Sequence, residues 1–169
     1  MKKVRLLSSF TAKILSLLFL LSALIACQED KVVKPETISD IVLTNSAFSI
    51  LNVALRHAGM EDALKTGPLT VFAPSDAAFR AAGYADAAAV TALPAATVRR
   101  LIQYHILGKT VRVTDIGSGT RQKEQTILKR DISLVKNSSG TFVNGVKIVA
   151  ADLEADNGVV HVIDRLLTP

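Results

Sequence analysis

The chain has 169 residues, 49% of them hydrophobic and 21% charged, with 9 glycines, 5 prolines, one cysteine, no tryptophan and a formal net charge of +5. That length holds one domain rather than two, and the composition excludes collagen-like, low-complexity and disordered chains, an intramolecular disulfide and a cysteine-based metal site. Lys2, Lys3, Arg5 and Lys13 stand without an acid in residues 1–26, so of the 20 basic and 15 acidic side chains 16 and 15 remain beyond them, and the charge makes no case for a nucleic-acid partner.

The start is an address. A basic stretch, Met1 to Arg5, precedes twelve uncharged residues, ILSLLFLLSALI, over residues 14–25. A helix of that length spans about 18 Å, short of the ~30 Å hydrocarbon core, which favours a signal peptide over a lone transmembrane anchor. A conventional cut after Ala26 would place bulky Leu24 at −3. Leu24-Ile25-Ala26-Cys27 instead resembles the lipobox of bacterial lipoproteins. The resemblance implies that residues 1–26 are removed and that Cys27 carries fatty acyl groups, palmitate among them, as a membrane anchor. Gln28-Glu29-Asp30 resembles a surface-export signal of some gram-negative lipoproteins, or is an ordinary solvated tether. Residues 27–35 are expected to form the lipidated end and a short linker. The implied location is the bacterial cell envelope at the outer membrane, periplasmic or surface-exposed.

Residues 36–169 are expected to form one domain. A short amphipathic helix is predicted over 37–43. A second has Ser46 as a plausible N-cap, an apolar face at Phe48, Leu51 and Leu55, and Gly59 just past its end. A turn of helix over 60–65 leads to the break at Gly67-Pro68. Leu69 to Ala73 reads as a strand that Pro74 ends. Ser75 or Asp76 caps a short helix stopped by Gly83. Residues 86–93 are helical, and Pro94 suits the first turn of a helix whose face is Val98, Leu101 and Ile102.

Strands are predicted next, over 104–107, 110–113, 121–127, 131–136, 141–143, 146–149 and 159–163. Asn144-Gly145 is a two-residue hairpin signal. Helices first and strands later, without alternation, favour an α+β fold over a parallel α/β sheet.

Three segments then stand in order: TVFAPSDAAF over 70–79, Tyr104-His105-Ile106-Leu107, and NGVVHVID over 157–164 followed by Leu166-Leu167-Thr168-Pro169. Together they resemble the fasciclin (FAS1, beta-Ig-h3) domain over essentially all of 36–169. The resemblance implies a FAS1 fold: short strands in a wedge-like two-sheet arrangement, covered by N-terminal helices. It marks Thr70, Phe72, Pro74, Ser75, Asp76, Phe79, Asn157, Gly158, His161 and Asp164 as structural motif positions. It implies non-catalytic adhesion or ligand binding at cell surfaces, with no cofactor and a surface protein or polysaccharide as ligand. In animal members, Tyr104-His105 corresponds to a segment linked to integrin contact. Asp152-Leu153 corresponds to an Asp-Ile pair with the same link.

Two alternatives stay open. One is a carbohydrate-capturing surface lipoprotein of a glycan-uptake system. The other is an envelope hydrolase using Ser75, Asp76 and His105, although no G-x-S-x-G turn is present. His57, His105 and His161 lack ligand spacing, so no metal site is expected. Lys123, Lys129, Arg130, Lys136 and Lys147 lie among the strands, with Glu124 and Asp131 diluting a basic face.

Overall fold

The computed structural model describes residues 36–169. The leader, Cys27 and the tether expected over residues 1–35 lie outside the described residues. Thr37 starts the first helix, α1 (Ile38–Thr44), with a reciprocal cap: its hydroxyl accepts the Asp40 amide and the Asp40 carboxylate accepts the Thr37 amide. Asn45 caps a 3-10 turn (Ser46–Phe48) that leads into α2 (Ser49–Ala58). Gly59 ends α2 in the left-handed region, with φ 63°. The expected cap at Ser46 is therefore one residue late, because Asn45 takes that position. After β1 (Leu69–Pro74) come α3 (Asp76–Ala81), α4 (Ala87–Thr91) and α5 (Ala95–Tyr104). Pro94 occupies the N-cap of α5 rather than its first turn.

The remaining strands are β2 (Ile106–Leu107), β3 (Arg121–Gln125), β4 (Asp131–Asn137), β5 (Gly140–Val143), β6 (Val146–Ala155) and β7 (Gly158–Ile163). Their spatial order is β2-β1-β7-β6-β5-β4-β3. Only β1 and β7 run parallel. Strand β6 joins two ladders: Val146 and Lys147 pair with β5, while Ile148 to Ala155 pair with β7 across register shifts. This is the α+β arrangement of short strands and covering helices that the fasciclin resemblance implies.

Strand β1 is buried along its whole length. Val71 and Ala73 join the core under the helices, with Phe48, Leu51, Leu55 and Val160. Phe72 faces the other way, into a core with Leu107, Ile132, Leu134 and Ile163. A strand covered on both faces has no polar side to alternate with, hence the unbroken LTVFA run.

Four strand expectations differ by two residues or more, and the strand expected over 121–127 ends at Gln125. Helix α5 continues through Tyr104, because the His105 ring reaches back to the Leu101 carbonyl and satisfies an otherwise unpaired helix end. Strand β6 continues to Ala155 instead of stopping at 149. A bulge brings Asp152 to φ 53° and breaks the alternation that marks a strand. Residues 110–112 form no strand, and Val113–Asp115 is a 3-10 turn.

Candidate functional site

The missing strand over 110–113 leads to the motif residues, because their side chains take the place of a ladder. Thr70 Oγ1 donates to the Lys109 carbonyl at 2.7 Å and accepts the Val111 amide at 2.8 Å. His161 Nε2 donates to the Val111 carbonyl at 2.8 Å, while its Nδ1 accepts the Asp152 amide at 3.2 Å. The Asp152 carboxylate accepts the Val113 amide at 3.0 Å. Thr70 and His161 are almost wholly buried. The His161 ring also stacks on Phe72, with centroids 5.6 Å apart. Thr70, His161 and Asp152 thus hold one connecting segment against the sheet.

Tyr104 and His105 are buried too. The Tyr104 hydroxyl donates to the Asp131 carbonyl at 3.3 Å and accepts an N–H from Asn144 at 2.9 Å. His105 Nδ1 donates to the Leu101 carbonyl at 2.8 Å. Its Nε2 must accept, because the Leu167 amide donates to it at 2.9 Å. Burial pushes the His105 pKa down to about 4, against a weaker opposing effect of the Leu101 carbonyl. Both ring nitrogens of the neutral form are used, so this side chain ties the C-terminal residues to α5. Leu153 is partly buried against the helix-side core. The Tyr104-His105 and Asp152-Leu153 pairs therefore present little free polar surface to a partner.

Asn157 joins three elements. Its Oδ1 accepts the Ile38 amide at 2.9 Å, its Nδ2 donates to the Leu64 carbonyl at 2.8 Å, and its own carbonyl accepts the Leu69 amide. Gly158 follows at φ 142°, with its backbone directly against Leu69. Pro74 sits opposite Ile163 on the last rung of the β1–β7 ladder, inside the strand and not beyond it. Phe79 is buried in the helix-side core, and its ring meets Tyr84 edge-on. Asp164 is exposed, 3.9 Å from Arg165.

Ser75, Asp76 and His105 are bonded to different partners and not to one another. Ser75 caps α3 by accepting the Ala78 amide at 3.2 Å. Asp76 does not cap its own helix. Its carboxylate accepts the Ile50 amide at 2.9 Å and the Ser49 hydroxyl, and so caps α2 from outside. Phe48, at the N-cap of α2, has no side chain that can do this. Asp76→Ala should lose ~0.5–2 kcal/mol and Asp76→Asn less, since an amide oxygen also caps. In a denaturant double-mutant cycle, Asp76→Ala and Ser49→Ala should couple by at least ~0.5 kcal/mol. Purely additive losses would place Asp76 elsewhere.

Among the described residues, no group of three His, Cys, Asp or Glu is placed to hold a metal ion. The structure also separates charges that the sequence mixes. Glu124 is turned to the inner side of β3, where it pairs with Lys109 at 2.6 Å with its side chain 9% exposed. Lys136 donates to the Val113 carbonyl. The opposite, solvent face of β3 to β5 carries an open groove of about 620 Å³ lined by Arg121, Ser133, Val135, Asn137, Phe142 and Asn144. The sequence reading named Lys123 and Lys147 for a basic face suited to acidic polysaccharide but missed the groove, although a period-two reading of 131–137 and 140–143 puts Ser133, Val135 and Phe142 outward.

Comparison with known proteins gives a consistent result. A family model described as the fasciclin domain matches residues 46–169. Protein sll1483 of Synechocystis sp. is 31% identical over 147 residues, covering 79% of this chain and 73% of that protein. Cell surface glycolipoprotein MPB83 of Mycobacterium bovis is 29% identical over 140 residues, covering 74% of this chain and 57% of that protein. A solved FAS1 domain pair from the insect cell adhesion molecule fasciclin I superposes with a TM-score of 0.64 at 18% identity, over 79% of this chain and 51% of that one. The chain thus spans little more than half the length of these last two.

Proposed function

The chain belongs to the fasciclin domain family, and from that premise we propose that it is a lipid-anchored adhesion or ligand-binding module displayed on a bacterial envelope. Fasciclin domains are common in adhesion and cell-surface proteins. The observation that carries the reading is that Thr70, Tyr104, His105, Asn157 and His161 are all bonded inside the fold. Chemistry-bearing side chains spent in this way hold a rigid domain in shape, which suits display better than turnover. Two further points support the anchor: the sole cysteine closes Leu24-Ile25-Ala26-Cys27, and a matched relative is named a cell surface glycolipoprotein.

Metabolic labelling with a fatty-acid probe tests the anchor. The wild-type chain should take up label and sediment with membranes, and Cys27→Ser should do neither. Label retained in Cys27→Ser overturns the anchor. Cells displaying the wild-type chain should also attach to coated surfaces better than cells making Cys27→Ser, and equal attachment overturns the display role.

A further inference from the structure

We propose that the solvent face of β3 to β6 is a binding site for an acidic polysaccharide; this deepens the surface-module reading and rests on it. Strand register sets out the site. Arg121 lies opposite Val135, Val135 opposite Phe142, and Phe142 opposite Lys147. One row across four strands therefore reads cation, apolar, aromatic, cation. Strands lie about 4.8 Å apart, so the two cations stand roughly 14 Å from each other across an apolar floor. In the next row Lys123 lies opposite Ser133, and in the row after that Gln125 lies opposite Asp131. Asp131 is the one acid of these three rows, and it sits at the far edge. The side chains of Arg121, Lys123 and Lys147 have no hydrogen-bond or ion-pair partner among the described residues.

The chemistry of the face selects the ligand class. The Phe142 and Val135 side chains offer a flat apolar floor, suited to the C–H face of a sugar ring. Arg121 and Lys147 at either end suit carboxylate or sulfate groups on rings along one strand. Asn137 at the rim offers its side-chain N–H group to ring hydroxyls, its Oδ1 accepting the Ser139 amide. The floor has only two apolar side chains, too few to seat an acyl chain or a helix face.

The test uses the full-length chain in detergent micelles and affinity electrophoresis through polygalacturonate, with dextran and polyglutamate in parallel. Polygalacturonate should retard the chain and dextran should not, and retardation should weaken in high salt. Arg121→Gln combined with Lys147→Gln should weaken binding roughly tenfold or more, and Phe142→Ala by a similar factor. Arg121 and Lys147 are exposed, so the double variant should keep the wild-type melting temperature, and Phe142→Ala, whose ring is half-buried, is compared at a temperature where it stays folded. Lys65→Gln, which lies outside the row, should bind as wild type does.

Polygalacturonate binding that survives Phe142→Ala overturns the site, because charge alone then suffices. Equal retardation by polyglutamate overturns the ligand class. A chain that carries fatty-acid label and supports cell attachment but ignores polygalacturonate sinks this site and leaves the module reading standing.

Discussion

Gly158→Ala should cost at least about 3 kcal/mol, a large share of the ~5–15 kcal/mol that holds a domain of this size. A methyl group placed there would stand 1.9 Å from the Leu69 carbonyl oxygen and 2.8 Å from the Leu69 nitrogen. Those atoms belong to backbone, not to the end of a flexible side chain, so they move only if the strand moves. The strand in question is β1, which pairs with β7 from Leu69–Gly158 to Pro74–Ile163 and is buried on both faces. Displacing Leu69 would also strain its amide bond to Asn157, and with it the links from Asn157 to Ile38 and Leu64. The φ of 142° adds a conformational penalty for any side chain. Gly145→Ala separates the two effects. Its φ is 77°, but nothing lies within 4 Å of an added methyl group, so it should cost only about 1 kcal/mol. Denaturant midpoints on both variants decide the matter, and equal losses would mean that the contact with Leu69 is unimportant.

Acid should weaken the fold earlier than carboxylates alone would bring about. The native His105 pKa lies near 4, against an ordinary value of 6.5. Below about pH 6.5 the unfolded chain takes up a proton that the native chain refuses, so stability falls as pH drops and is fully present above that value. The loss approaches about 3 kcal/mol as the pH reaches about 4. A proton on Nε2 would break the bond from the Leu167 amide and leave a charge in the core. His105→Gln should be less stable than wild type, yet its stability should fall less steeply than that of wild type between about pH 6.5 and 5, where few carboxylates titrate. Arg112 and Lys65 hold the Glu154 and Asp62 carboxyls below their ordinary range, so those groups act at still lower pH. Urea midpoints at several pH values measure both slopes. Matching slopes in wild type and His105→Gln would assign the acid sensitivity to other groups.

Local patterns determined much of this protein. The apolar spacing of Leu51 and Leu55, the left-handed stop at Gly59, the Asn144-Gly145 hairpin and the run from Leu69 to Ala73 depend on neighbours within a few residues. The three fasciclin segments were legible for the same reason, as short strings at fixed places. What those segments do was decided only by the fold. Thr70, His161 and Asp152 are up to 91 residues apart in number, yet they close on residues 109–113, and their side-chain bonds replace a strand that β-propensity alone would predict there. Asp76 reads as the cap of the helix it begins, but it caps one that starts 27 residues earlier, because α2 and α3 meet at their N-termini. Glu124 and Asp131 appear in the chain as neutralising acids among the lysines, and alternation across the sheet sends Glu124 to the face opposite Arg121 and Lys123. Period and propensity act over one turn or one strand. Which side chains meet is settled by strand order, parallel pairing and the β6 bulge, all of which arise from contacts between distant residues.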